Sequence, residues 1–381
     1  MSNMDRLIEV IAKLNTLYNS IVKHDSGRIL GSMTTKPHPL AIYSYLLFIH
    51  TNLADTVMYP ELIDLKNELQ KDLSKYYGEI SELMVTTGGT ESNFTAILSA
   101  WKNRGFREKI VIAPDTVHVS IDKTCDIIGC RLIKIPVGNK PVEPDIVEEY
   151  VRKYNPFAIV ITAGTTERGL IDPVKAVAEI AEDSGTYLHV DAAYGGLIIP
   201  HLYKHGYVNQ DLYMYDGVSS ITIDFHKNGL TPIPSSVLLF REKEFYEKIC
   251  YNAEYILTNK YCGLLGTRPG ASLVSIWTMW KYTDWNGYEK LAMDLISKAY
   301  YLYDKLIEIP DLIVYKPILP IVVFKHRKLN YKELLLKLIE KKYYLYKSPS
   351  LEALRIVVMP HVEKKHIDEF IEVLKEVLNS I

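Results

Sequence analysis

The chain of 381 residues is 48% hydrophobic and carries 44 lysine and arginine residues against 46 aspartate and glutamate residues, a formal net charge of −2. Such a balance lacks the basic footprint of a nucleic-acid binder, and no apolar run approaches membrane-spanning length. The start leads into an amphipathic segment with Glu9 and Lys13 rather than the apolar core of a secretion signal, so a cytoplasmic protein is expected, with neither membrane nor nucleic acid as partner. The cysteines at 125, 130, 250 and 262 are too few for a disulfide framework and show no CxxC spacing; buried free thiols are expected, and no metal site.

In chain order, residues 1–80 read as an N-terminal helical segment, interrupted by the loop from Gly31 to Pro39. Residues 81–284 alternate short β-branched runs with helical patterns, as a mostly parallel sheet covered by helices requires. The strand candidates are Leu83–Thr87, Ile110–Ala113, Arg131–Val137, Ala158–Ala163, Tyr187–Asp191, Ser220–Asp224 and Ser236–Phe240, with helices over Glu91–Asn103 and Pro173–Ser184. Residues 285–381 read as a small C-terminal α/β domain: long helices around strand-like runs at Leu312–Tyr315, Ile321–Lys325, Tyr343–Lys347 and Leu354–Val358, ending in a helix over Glu363–Leu378. The expected fold class is therefore α/β, a large seven-stranded sheet domain plus a small one.

Three short stretches carry chemistry, each where an expected strand gives way to a loop or helix. Gly88-Gly89-Thr90-Glu91-Ser92 permits a sharp turn and then points free helix N–H groups at an anion. Asp191 ends an apolar strand and is followed by the small residues Ala192 and Ala193; a buried carboxylate there calls for a cationic partner. Lys227 follows the β-rich run Ser220–His226, with His226 beside it to reach a phosphate or orient the amine. Alone, each has an ordinary structural reading: a capped turn, a loop aspartate, a surface lysine. Together they match the needs of pyridoxal phosphate, which requires a phosphate cradle, an anion under its ring nitrogen and an amine that can form an imine with its aldehyde. His118, after a strand end, could stack on the ring opposite Ala193, and Thr162 could donate to the phenolate oxygen.

These residues resemble the group II pyridoxal-phosphate-dependent decarboxylases on the fold type I scaffold, and within them the archaeal tyrosine/aspartate decarboxylase family. The resemblance runs from Ser32-Met33 and Thr35-Lys36-Pro37-His38-Pro39 to the stretch Leu354–His361; Ser220–Asp224 leading into His226-Lys227, and Gly266-Thr267-Arg268-Pro269-Gly270-Ala271, are its most specific parts. It implies Lys227 as the Schiff-base lysine, Asp191 on the pyridine nitrogen, His118 and Ala193 on the two ring faces, and Gly89, Thr90, Glu91 (through its amide), Ser92 and His226 around the phosphate. It further implies Arg355 on the substrate carboxylate, a homodimer with the active site at its interface, Thr267 reaching a neighbour's phosphate, and a tyrosine from the loop 255–261, taken as Tyr261, as proton donor. Lys36 and His38 could favour an acidic substrate side chain or lie outside the pocket. Thr34, Phe225 and Asn228 depart from the family pattern, which bears on substrate rather than on chemistry.

The activity so implied is α-decarboxylation of an L-amino acid of the tyrosine, aspartate or glutamate type. The alternative is a carbon–carbon lyase resembling sphingosine-phosphate lyase, which would need a second phosphate site.

Overall fold

Seven apolar runs between residues 80 and 242 pair into one sheet, because strands buried on both faces read as nearly continuous hydrophobic stretches. The computed structural model describes residues 2–380. The helices α1 (Asn3–Ser20), α2 (Pro39–Leu47) and α3 (Pro60–Tyr77) come first. The sheet region follows as β1 (Glu82–Thr86), α4 (Gly89–Asn103), β2 (Glu108–Pro114), α5 (Val119–Ile128), β3 (Arg131–Ile135), α6 (Pro144–Tyr154), β4 (Pro156–Thr162), α7 (Val174–Ser184), β5 (Tyr187–Asp191), α8 (Ile199–Lys204), β6 (Val218–Ile223) and β7 (Ser236–Phe240). A short helix α9 (Lys243–Glu247) and the hairpin β8 (Cys250–Asn252) and β9 (Lys260–Cys262) lead to the long α10 (Gly270–Ile307). The last part is β10 (Leu312–Tyr315), β11 (Ile321–His326), α11 (Tyr331–Glu340), β12 (Tyr346–Ser348), β13 (Ala353–Val357) and α12 (Lys364–Asn379).

The large sheet has the order β1-β7-β6-β5-β4-β2-β3. Neighbours from β3 to β6 pair in parallel, and β7 runs antiparallel to both β6 and β1. All of β4, β5 and β6 is buried, so these strands are covered on both faces. Their carboxyl ends, where open α/β sheets bind ligands, point to one side of the molecule. The small antiparallel sheet, β10-β11-β13-β12, shares a continuous apolar core with the large one, from Leu188 and Val190 to Val357 and Phe370. Helix α10 breaks its regular geometry at Asp284 (φ 54°), whose carboxylate accepts a hydrogen bond from Gly287 N at 2.8 Å and restarts the helix.

Two details differ from expectation. The run Tyr343–Lys347 begins its strand only at Tyr346, because Tyr344 bridges to Ile29 and accepts from Leu30 N and Gly31 N. The N-terminal segment thus joins the small domain before it loops into the site; at Gly31 an added Cβ would lie 2.4 Å from Tyr346 N, so the close approach needs glycine there. The cysteines are not all free: Cys250 and Cys262 oppose each other across the β8–β9 hairpin and are bonded, while Cys125 and Cys130 remain thiols. Their pairing follows from hairpin register, which cysteine spacing does not reveal.

Candidate active site

A cavity of about 350 Å3 opens at the carboxyl ends of the parallel strands, lined among others by Gly89, Thr90, Glu91, His118, Thr162, Asp191, Ala193, His226 and Lys227. Residues from five separate stretches of sequence thus meet because each stretch lies at or just beyond the carboxyl end of a strand of one sheet. At Gly89, the first residue of α4, an added Cβ would stand 3.1 Å from Asp224 Oδ2 and 3.2 Å from Ala193 Cβ, so a side chain would fill the cradle. The opening turn of α4 leaves backbone N–H groups at the cavity, as an anion needs. The Glu91 carboxylate is not part of this: its Oε2 accepts from Thr87 N at 2.7 Å and Thr87 Oγ1 at 2.8 Å.

Asp191 is 5% exposed; its Oδ2 accepts from Asn93 Nδ2 at 2.8 Å and its Oδ1 from Ala193 N at 3.1 Å. Among the described residues no cation pairs with it, so a buried carboxylate waits for a positive partner at the cavity wall. Thr162 Oγ1 is likewise buried with no hydrogen-bond partner. The backbone of Thr162 is held from behind by Asp172, whose Oδ2 accepts from Thr162 N at 2.8 Å and whose Oδ1 accepts from Val142 N at 3.0 Å. Burial pushes the Asp172 carboxyl up to about 6 against the pull of these two donors.

Lys227 Nζ lies 3.1 Å from Asp224 Oδ2, and His226 Nε2 is 3.5 Å from the same oxygen. Asp224 is fixed in turn by Ser236 Oγ at 2.6 Å, and Ser235 N donates to His226 Nδ1 at 3.3 Å. His118 caps α5: Ser120 N donates to its Nδ1 at 3.2 Å, which leaves Nε2 for a ligand. Burial holds both His118 and His226 below the usual imidazole range, so both rings favour the neutral form.

Other expected site residues stand elsewhere. Ser92 points into the sheet, where its hydroxyl bonds Thr86 Oγ1 at 2.6 Å, because the next helical step turns it away from the cavity that Glu91 lines. His38 caps α2 and its ring lies 4.9 Å from that of Tyr282, outside the cavity, and Lys36 is exposed in an ion pair with Asp25 at 2.6 Å. Tyr261 on β9 lines a different cavity with Arg268 and Lys66, and Thr267 is exposed on the loop before α10. Arg355 on β13 is 5% exposed, and its Nε and Nη1 have no hydrogen-bond partner. It does not line the cavity, but its charge acts on the phenol of Tyr194, which does. The sequence reading passed over Asn93, His189, Asp172 and the ion-pairing role of Asp224. A signal for the first two was present: Tyr187, His189 and Asp191 alternate as polar groups along one face of an otherwise apolar strand.

The cavity therefore offers helix N–H groups beside a glycine cradle, a lone buried carboxylate, an unpartnered hydroxyl and a lysine amine, the set of contacts that a phosphorylated pyridine aldehyde requires. The pattern of the pyridoxal-dependent decarboxylase conserved domain matches residues 49–327 of the chain. The chain belongs to the pyridoxal-dependent decarboxylase family. It is similar to the probable L-tyrosine/L-aspartate decarboxylase of Methanosphaera stadtmanae, 36% identical over 95% of each chain, and to the L-aspartate decarboxylase of Thermococcus kodakarensis, 34% identical over 98% of this chain and 97% of that one. Among solved structures it resembles the sphingosine-1-phosphate lyase of Burkholderia pseudomallei, with a TM-score of 0.85 at 23% identity over 100% of this chain and 91% of that one, a likeness of fold. This decarboxylase is thus an enzyme, a carboxy-lyase that works with pyridoxal phosphate on an amino acid. Among the described residues no helix is long and apolar enough to cross a membrane.

Proposed function

We propose that this decarboxylase acts on L-aspartate, with L-tyrosine and L-glutamate as the next candidates, and that its residues divide the work as follows. Lys227 carries the coenzyme, Asp191 faces the ring nitrogen, Thr162 donates to the ring oxygen, and the first turn of α4 with His226 holds the phosphate. When bound, pyridoxal phosphate supplies a sink for the electron pair left at the α-carbon as carbon dioxide departs. Asp191 keeps the ring nitrogen protonated, which a carboxylate with no other cation can do. His118 and Ala193 confine the flat ring between them. Asp224, with Oδ2 3.1 Å from Lys227 Nζ, would hold the lysine as an ammonium whenever it is free of the coenzyme. The observation that carries the proposal is that Lys227, Asp191, the unpartnered Thr162 hydroxyl and the α4 cradle line one cavity.

Arg355 is proposed to receive the substrate carboxylate, because a buried guanidinium with two unsatisfied nitrogens is a poor structural element and a good carboxylate fork. Aspartate comes first because both relatives described above carry it in their names.

The enzyme is further proposed to be a homodimer. Helix α1 buries none of its residues within the chain and leaves Leu7, Ile8, Ile11 and Leu14 about half exposed, an apolar face that a second copy would cover. Thr267 and Tyr261 would then serve the neighbour's cavity. A carbon–carbon lyase is disfavoured, because Lys227 is the only lysine or arginine that lines the cavity among the described residues, and a phosphorylated substrate needs more. Carbon dioxide release measured over the twenty amino acids tests the reading: release from aspartate that vanishes in Lys227→Ala is expected, and no release from any amino acid would refute it.

A further inference from the structure

His189 is fully buried, lies outside the cavity lining, and yet uses both ring nitrogens. Its Nδ1 is 2.8 Å from Ser220 Oγ and its Nε2 is 2.9 Å from Asn93 Oδ1. Asn93 Nδ2 donates to Asp191 Oδ2 at 2.8 Å and to Ser120 Oγ at 2.9 Å. At the far end Tyr187 OH donates to Ser220 Oγ at 2.9 Å. Tyr187, His189 and Asp191 alternate along β5, and Ser220 pairs with His189 in the neighbouring β6, so the whole run lies on one face of the sheet beneath α4.

Donor and acceptor rules give this run a single direction. A carboxylate can only accept, so Asn93 must turn its amide nitrogen to Asp191 and its oxygen to His189. His189 Nε2 must then carry the proton, which makes Nδ1 the acceptor for Ser220 Oγ–H, and Ser220 accepts in turn from Tyr187. From Tyr187 through Ser220 and His189 to Asn93, each member thus donates one N–H or O–H in the direction of Asp191, the second amide N–H of Asn93 going to Ser120. Aligned hydrogen bonds in a dry interior polarise one another, so the run fixes the plane of the carboxylate. Burial holds His189 down to about 4, which keeps its ring neutral and this tautomer in place at ordinary pH.

We propose that Asn93, His189 and Ser220 are positioning residues that hold the Asp191 carboxylate in a fixed orientation, and thereby decide how strongly the enzyme favours a protonated ring nitrogen in its coenzyme. The inference rests on the reading that Asp191 faces that nitrogen. Because Asn93 also donates to Ser120 Oγ, 3.0 Å from His118 Nδ1, one amide ties the ring-nitrogen partner to the residue proposed for the ring face.

The test compares the Kd of pyridoxal phosphate with that of its 1-deaza analogue, in which carbon replaces the ring nitrogen, for enzyme reconstituted with each. A residue that merely supports the fold weakens both equally; a residue that acts through the ring nitrogen changes their ratio. Asp191→Asn should bring the ratio close to one. Asn93→Ala and His189→Phe should lower it roughly tenfold, the scale of a hydrogen bond to a charged group. His189→Gln, which keeps an N–H donor, should restore part of the preference. Ser220→Ala removes a single hydroxyl and serves where the larger changes fail to fold; it should lower the ratio about two- to threefold. If Asp191→Asn collapses the ratio while the Asn93, His189 and Ser220 variants leave it at the wild-type value, the inference is wrong and the placement of Asp191 survives. If Asp191→Asn itself leaves the ratio unchanged, both are wrong.

Discussion

The carboxyl ends of β4, β5 and β6 and the hairpin of β8 and β9 both carry residues for which chemistry was expected, yet they are built on different physical terms. At the strand ends, Thr162 and Asp191 are set by backbone pairing within the sheet and Lys227 by the turn that follows β6, and Asp172, Asn93 and Asp224 contact them in turn. On the hairpin, Tyr261 is half-buried beside Tyr255, and Thr267 is exposed on the loop that follows; neither meets Lys227 within the chain. The first group assembles within one copy of the protein, whereas the roles proposed for the second call for a neighbouring copy.

Removing a group from the strand ends should have the largest effect. Lys227→Ala is expected to lower kcat by roughly 10^3 or more and to abolish the visible absorption band of the bound coenzyme, since no other lysine among the described residues lines the cavity. Next comes Arg355, where activity and stability should move in opposite directions. Arg355→Met is expected to lower kcat/KM roughly 100-fold while raising the free energy of unfolding by about 1–3 kcal/mol without substrate, because it removes a buried, unpaired charge. Loss of activity together with loss of stability would show that the guanidinium serves the fold.

The hairpin is examined best by complementation. If Tyr261 acts in the neighbour's cavity, Lys227→Ala and Tyr261→Phe are each impaired alone, and mixed dimers regain one intact site, up to roughly a quarter of wild-type activity for equal mixing. No gain on mixing two impaired variants would place Tyr261 in the cavity of its own subunit, and full activity of Tyr261→Phe alone would place it outside the reaction.

The smallest expected effect concerns pH. His189 binds its proton with difficulty when folded, near 4 rather than the ordinary 6.5, so the unfolded chain takes up a proton first as pH falls. Stability from this group is therefore complete above about pH 6.5 and lost toward pH 4, up to about 3 kcal/mol. Denaturant unfolding of wild type and His189→Gln at pH 7 and pH 5 should show a shallower loss in the variant; parallel losses would assign the acid sensitivity to other groups.

Much of this was legible in the sequence, for reasons visible in particular elements. The strands Tyr187–Asp191, Ser236–Phe240 and Leu312–Tyr315 are bounded by turn residues and rich in β-branched or aromatic side chains, so their limits could be read directly. The glycine turn, Asp191 and Lys227 could be placed because each follows such a strand. Ser92 shows that adjacency in sequence does not give adjacency on a helix: one step beyond Glu91 turns its side chain toward β1. The Cys250–Cys262 bond and the bridge from Ile29 to Tyr344 depend on tertiary register, which local composition does not encode. The side-chain partner of Asp191, Asn93, lies far off along the chain and close in space, and Asp172 reaches back to Thr162 across the loop that follows β4, neither of which local composition encodes.

The central claim is that one amine on the strand-end wall carries the coenzyme. Borohydride treatment of the coenzyme-loaded enzyme, followed by proteolysis and mass spectrometry, tests it most directly. The account predicts a phosphopyridoxyl mass on the peptide that contains Lys227 and on no other lysine; a label on a different lysine, or none at all, would contradict it.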